Sequence, residues 1–123
     1  MKQTTRWSPD TCGCVLEYEW DDAQDENVRS HSFLAVIAKC PAHESLSGVA
    51  LYNQVLNENQ RKNRVFAKAQ ETNPSITLDD YVWSFNKSRT LEVSFLGKMT
   101  GAQKKDLQSE CDRLHGANKV RVV

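Results

Sequence analysis

No apolar run in this sequence approaches the roughly 18 residues that a membrane-spanning helix needs. The N-terminal stretch MKQTTRWSPD also lacks the apolar segment of a secretory signal peptide. We therefore expect a cytoplasmic protein with no membrane partner. Because a cytoplasmic chain keeps its thiols reduced, its four cysteines are expected to bind metal or to be buried rather than to form disulfides.

The sequence also lacks the residue sets that mark common enzymes. Paired catalytic carboxylates, a Ser/His/Asp set and a glycine-rich phosphate loop are all missing, so we expect no enzymatic activity and no catalytic residue. There is no internal repeat, no low-complexity tract and no long linker. A chain of 123 residues without such a break is predicted to form a single domain, residues 1–123, around its own core.

An excess of either charge is missing too, because 16 Lys and Arg balance 16 Asp and Glu. The two halves nevertheless differ. Residues 1–60 hold four Lys or Arg against nine Asp or Glu, a balance of −5, and residues 61–123 hold twelve against seven, a balance of +5. This pattern fits an ordinary mixed surface, an anionic partner for the basic half, or head-to-tail self-association.

Two patterns in the first half predict a β-hairpin. VLEYEW, residues 15–20, alternates as a strand with one apolar face, and HSFLAVIAKC, residues 31–40, is apolar on both faces, as in the centre of a sheet. Pairing the two about a loop centred near Glu26 places these residues opposite one another: Trp20 and Ser32, Tyr18 and Leu34, Leu16 and Val36, Cys14 and Ala38, Cys12 and Cys40. Three thiols then meet at the open end of the hairpin.

Residues 44–71 predict a long helix that ends before Asn73-Pro74. Its predicted apolar stripe consists of Val49, Tyr52, Leu56 and Phe66. The second half of the helix carries a basic cluster, defined as Arg61, Lys62, Arg64 and Lys68. Such a cluster is placed either to lie along nucleic-acid phosphates or to form an ordinary solvated helix end.

In the second half, residues 81–85 and 91–95 predict another hairpin, with Trp83 opposite Val93 and Phe85 opposite Leu91. A capping box at Thr100 and Gln103 then begins a helix containing Leu107, Cys111 and Leu114, Gly116 ends it, and residues 119–123 form a short strand. The predicted order is ββα-ββαβ, an α+β fold with two helices on a mostly antiparallel sheet.

The spacing of cysteine and histidine is the clearest chemical signal. Cys12-Gly13-Cys14 and Cys40-Pro41-Ala42-His43 supply three thiols and one imidazole, a donor set that zinc takes in closed tetrahedral sites. We therefore expect a structural zinc ion held by Cys12, Cys14, Cys40 and His43. Buried thiols without metal and a Cys12–Cys40 disulfide are the alternatives. His31 is not expected to be a ligand, because its position in the strand alternation places its side chain on the opposite face from the cysteines. Cys111 is expected to be a core residue, and His115 is expected to lie at a helix C-terminus, where a histidine is favourable.

The run RWSPDTCGC, the later CPAH and the helical segment ALYNQVLNENQRKN together resemble small proteins of unknown activity found in phages and bacteria. The likeness covers the first half of the chain. It implies a phage or bacterial origin and joint use of the Cys/His set. We expect a non-enzymatic, zinc-stabilised interaction module, phage-encoded on this resemblance, that binds a protein or nucleic-acid partner. The alternative is a nucleic-acid-binding protein that uses the basic cluster.

Overall fold

The computed structural model describes residues 1–25, 27 and 30–123, so the predicted loop centre near Glu26 lies outside the described residues. The described elements are β1 (Lys2–Trp7), β2 (Val15–Asp21), β3 (His31–Ala38), α1 (Gly48–Thr72), β4 (Val82–Phe85), β5 (Leu91–Ser94), α2 (Gly101–His115) and β6 (Val120–Val122). Short 3-10 turns lie at Pro41–His43 and Leu78–Asp80. The α+β class with two helices is confirmed, and the order βββα-ββαβ contains one strand more than predicted.

The chain forms two compact units, Met1–Asn59 and Gln60–Val123. The first contains the antiparallel sheet β1-β2-β3, and the second contains the sheet β4-β5-β6, in which β5 and β6 run parallel. That residues 1–123 form a single domain stays a prediction. Neither helix in the described part of the chain is long and apolar enough to cross a membrane.

The strand missing from the sequence prediction is β1, which pairs along its whole length with β2 from Lys2 opposite Asp21 to Trp7 opposite Leu16. Its inward residues, at alternate positions, include one large apolar side chain, Trp7, so the sequence shows no apolar alternation. On the outer face Lys2 forms an ion pair with Glu19 at 3.0 Å. The partner strand therefore defines β1 more than its own composition does.

The register between β2 and β3 is partly as predicted. Leu16 lies opposite Val36, but Tyr18 lies opposite Phe33 and Trp20 opposite His31, because the register shifts twice along the pair. Each shift skips one residue of β3, Leu34 or Ile37, whose side chains are exposed. Such bulges turn an extra apolar residue out of the packed face. The prediction that β3 is central is wrong, since β3 is an edge strand and β2 is central.

Helix α1 buries the predicted residue Phe66, but in its first half it buries a different stripe from the predicted one. Val49 is 61% exposed, and Tyr52 and Leu56 are half-buried. The residues of α1 that are buried are Leu51, Val55, Glu58, Val65, Phe66 and Ala69. These positions follow the spacing of one helix face, but the carboxylate of Glu58 interrupts the apolar series, so the sequence pattern gives the wrong face for the first half of the helix.

The Gln60–Val123 unit follows the sequence predictions closely. Trp83 lies opposite Val93, Phe85 lies opposite Leu91, and the Thr100 capping box begins α2. The helix ends at Gly116, which has a φ of 93°. One detail differs, since Leu114 is 51% exposed. The core of this unit includes Leu91, Val93, Phe95, Leu107, Cys111 and Val120.

Candidate metal centre

Two short segments carry the predicted ligands, one before β2 and one after β3. Cys12 and Cys14 lie in the turn that leads into β2, and Cys40 directly follows β3. Pro41 then begins a 3-10 turn, in which the backbone N–H of His43 donates to the carbonyl of Cys40 at 3.1 Å. Because the turn closes in three residues, the His43 imidazole folds back over the Cys40 sulfur.

The four predicted ligands come together in the structure. One donor atom from each of Cys12, Cys14, Cys40 and His43 lies within 4.8 Å of every other. Cys14 Sγ is 3.5 Å from Cys40 Sγ and 3.6 Å from His43 Nδ1, and Cys40 Sγ is 3.0 Å from His43 Nδ1. A tetrahedral zinc ion with its usual bond lengths would place two sulfurs about 3.8 Å apart and a sulfur and a nitrogen about 3.6 Å apart. The arrangement is compatible with a metal site.

The alternative of a Cys12–Cys40 disulfide does not occur in the structure, where all four cysteines are free thiols. The backbone N–H of Cys40 donates to Cys14 Sγ at 3.3 Å, which further ties the two segments together. Cys14 is fully buried and Cys40 is 9% exposed, whereas Cys12 is half-buried. Cys12 is therefore the most exposed of the four predicted ligands.

Glu58 extends the site and was missed by the sequence analysis. His43 Nε2 donates to both Glu58 oxygens, at 2.8 and 3.1 Å, and Gln54 Nε2 donates to Glu58 Oε2 at 3.4 Å. His43 is 1% exposed and Glu58 is 0% exposed. With Nε2 committed to the carboxylate, Nδ1 faces the thiols. The sequence alone gives no signal for Glu58, because a carboxylate interrupts the apolar spacing of α1 and reads as a surface charge.

The electrostatics of the thiols differ from one cysteine to the next. Burial opposes the thiolate form of Cys40, but hydrogen bonds with the side chains of His43 and Cys14 and with the backbone of His43 and Gly13 together outweigh it and lower the pKa to about 6. Burial raises the pKa of Cys12 to about 12 and also raises the pKa of Cys14. Without a cation, the site therefore disfavours more than one thiolate, because negative charges would meet in a poorly solvated space.

The remaining histidine and cysteine predictions concern residues outside this group. His31 pairs with Trp20 at the far end of the hairpin and lies edge-on to Tyr18, with ring centroids 4.8 Å apart. Cys111 is buried in the core of the Gln60–Val123 unit, where burial raises its pKa to about 11. His115 has a lowered pKa because of burial and, second, because of the positive charges of Arg61 and Arg64.

The basic cluster is not a uniform row of solvated charges. Lys62 Nζ lies 5.0 Å from the ring centre of Trp83. Lys68 forms ion pairs with Glu71 at 2.9 Å and with Glu110 at 3.9 Å. Arg61 and Arg64 both lie close enough to His115 to lower its pKa. Lys68 is therefore engaged within its own unit, and the positive charges of the two arginines act on His115.

Comparison of the chain with family models, with curated proteins and with solved structures gives no match. The candidate metal centre therefore stands on its own geometry and chemistry. Three thiols and one imidazole, the latter hydrogen-bonded to a buried carboxylate, lie within 4.8 Å of one another, and this arrangement is compatible with a metal site.

Proposed function

We propose that Cys12, Cys14, Cys40 and His43 bind one zinc ion, and that this ion stabilises a small non-enzymatic interaction module. The single observation that carries the proposal is the convergence of three sulfurs and one imidazole nitrogen within 4.8 Å. Thiolate and imidazole ligands in a tetrahedron favour zinc over the harder cations magnesium and calcium, which take oxygen ligands.

The Glu58–His43 contact supports a metal rather than a set of idle buried thiols. A histidine that binds a metal almost always donates its other ring N–H to a carboxylate, a carbonyl or a water. Here that partner is a carboxylate with no exposed surface, 2.8 Å from Nε2. Burying a carboxylate is costly unless it is paired, and here the His43 N–H compensates that cost. A buried carboxylate in this position is therefore what we expect if it orients a histidine that binds a metal.

A structural role follows from the number and placement of the donors. Four protein ligands complete a tetrahedron and leave no position for a substrate or a catalytic water. The donors come from the turn before β2 and the turn after β3, and Glu58 connects the site to α1. The buried cluster of this unit is small, consisting of Cys14, Leu16, Cys40, Leu51 and Val55. An ion that joins these segments would supply stability that such a core cannot.

The direct test is metal content. Protein purified without chelator should contain about one equivalent of zinc per chain, measured by elemental analysis and by native mass spectrometry. The Cys40→Ser variant should lose this zinc, whereas Cys111→Ser should keep it, because Cys111 lies in the core of the other unit. Two results would contradict the proposal. One is wild-type protein that contains no zinc, and the other is a Cys40→Ser variant that binds as much zinc as wild type.

A second candidate function is nucleic-acid binding through the basic cluster. The Gln60–Val123 unit carries twelve Lys or Arg against seven Asp or Glu, a balance of +5. Lys62 lies over Trp83, and Arg89 lies 4.6 Å from the ring centre of Phe85, so cations and half-buried aromatic rings share one surface. Single-stranded nucleic acids bind to surfaces that combine these two features. Self-association between units of opposite charge is the other way in which this surface would be used.

A further inference from the structure

The Met1–Asn59 unit contains a small cavity lined almost entirely by rings. We define the aromatic pocket by its five lining residues, which are Trp7, Tyr18, His31, Tyr52 and Leu56, and its volume is about 170 Å³. His31 at its rim is exposed, and the other four residues are half-buried. Pockets that hold drug-sized molecules start at about 300 Å³. This pocket is therefore sized for a head group or a side-chain tip.

The strand register explains why the rings meet. Trp7 on β1 lies opposite Leu16, and Tyr18 on β2 lies opposite Phe33, so these side chains share the packed face of the sheet. Phe33 in turn stacks on Tyr52 of α1, with ring centroids 5.1 Å apart and planes 22° from parallel. The Tyr18 ring lies edge-to-face with His31 at 74°. Neighbouring rings thus hold both tyrosines in fixed orientations.

We propose that the aromatic pocket binds a quaternary or methylated ammonium group. The faces of Trp and Tyr rings carry negative quadrupole charge, and cages of such rings recognise quaternary ammonium ions through cation–π attraction. A methylated ammonium is cationic yet weakly hydrated, so it suits a pocket with ring walls and one aliphatic wall, Leu56. The unit around the pocket has four Lys or Arg against nine Asp or Glu, and this balance of −5 attracts cations.

The site is separate from the four metal ligands and does not rest on the zinc proposal. Its residues come from β1, β2, β3 and the middle of the first half of α1, and none of them is a proposed ligand. The ligand chemistry has two sources, a methylated lysine on a protein partner or a choline-type small molecule. Both present the same trimethylammonium group, so one set of measurements compares them.

The test titrates four compounds into the purified full chain, and binding is followed by calorimetry and by shifts of the aromatic NMR signals. The compounds are choline, its uncharged isostere 3,3-dimethylbutan-1-ol, and a short peptide containing trimethyllysine beside its unmethylated form. We expect choline or the methylated peptide to bind at least about tenfold more tightly than the uncharged isostere or the unmethylated peptide. The tighter of the two cations identifies the source.

Variants then locate the binding. Trp7→Leu and Tyr52→Leu should each weaken binding of the cation by about threefold to tenfold, whereas Trp83→Leu, a half-buried tryptophan of the other unit, should leave it unchanged. Trp7→Phe keeps a ring and should restore most of the affinity. Zinc content and cooperative melting are measured on the same samples, so loss of the fold or of metal is distinguished from loss of the pocket.

Two results would overturn the proposal. One is the absence of binding of either cation to folded wild-type protein. The other is equal binding of choline and its uncharged isostere, which would show an apolar cavity without cation recognition. Neither result would affect the zinc proposal, whose test is metal content.

Discussion

Glu58 accepts a hydrogen bond from His43 Nε2 at 2.8 Å, in a position where neither side chain is more than 1% exposed. The carboxylate lies on α1 and the histidine in the turn after β3, fifteen residues earlier in the chain. This pair connects the candidate metal centre to the helix. It explains why a charged residue occupies the buried face of α1, and it gives the site a feature that substitution can test separately from the ligands.

Removing the metal should destabilise the protein, because a site that holds separate segments together contributes its binding free energy to folding. Treatment with a strong zinc chelator should lower the melting temperature by at least about 5 °C, and added zinc should restore it. Circular dichroism or differential scanning calorimetry measures this. An unchanged melting temperature in protein shown to be free of metal would mean that the fold does not depend on a bound ion.

His43→Ala should remove one ligand and remove the two hydrogen bonds that His43 Nε2 donates to the buried Glu58 carboxylate. We expect loss of zinc and a fall of at least about 5 °C in melting temperature. His31→Ala is the matched control, since His31 is exposed and outside the metal group, and it should change the melting temperature by less than about 2 °C. If the two variants lose similar amounts of zinc, the assignment of His43 rather than His31 as the ligand is wrong.

Glu58→Gln should weaken zinc binding without removing a ligand. The Gln carbonyl can still accept the hydrogen bond from His43 Nε2. The negative charge that makes Nδ1 a stronger metal ligand is gone, however. We expect an affinity for zinc about 10- to 100-fold lower, measured by competition with a chromophoric chelator. Glu44→Gln is the control, because Glu44 is an exposed acidic residue one position after His43. If the two variants bind zinc equally well, Glu58 does not support the metal.

The second candidate function predicts that charge reversal at the arginines of the basic cluster removes nucleic-acid binding. The double variant Arg61→Glu with Arg64→Glu should stay folded and lose affinity for a single-stranded oligonucleotide, and wild-type affinity should fall as salt is added. Lys87→Glu with Lys105→Glu changes the charge equally at exposed positions and is the control. Retained binding by the folded arginine variant would exclude this surface.

The pKa of His115 gives an independent measure of the charges of Arg61 and Arg64. Burial, and then the charges of Arg61 and Arg64, lower its pKa. Reversing the two arginines should therefore raise the pKa of His115, and so should a phosphate backbone that neutralises them. An NMR titration of the His115 ring follows both changes. A pKa that stays constant in the reversed variant would show that the charges of the two arginines do not act on His115 in solution.

The sequence by itself determined those parts that depend on neighbouring residues. Alternating aromatic and aliphatic residues place Trp83 opposite Val93, and the Thr100 box with Gly116 defines both ends of α2. The meeting of Cys12, Cys14 and Cys40 also follows from local information, since two strands joined by a loop bring their outer ends together. Strand period, turn chemistry and helix caps are short-range effects, and a single sequence displays them directly.

Tertiary structure decided the rest, because those features depend on residues far away in the chain. β1 is a strand because β2 offers it a partner, and Leu34 and Ile37 are exposed because bulges in β3 turn them outward. Glu58 looks in sequence like an ordinary surface charge of a helix. It becomes part of the core only because His43 is there to pair with it, and burial of a carboxylate is favourable only beside such a partner.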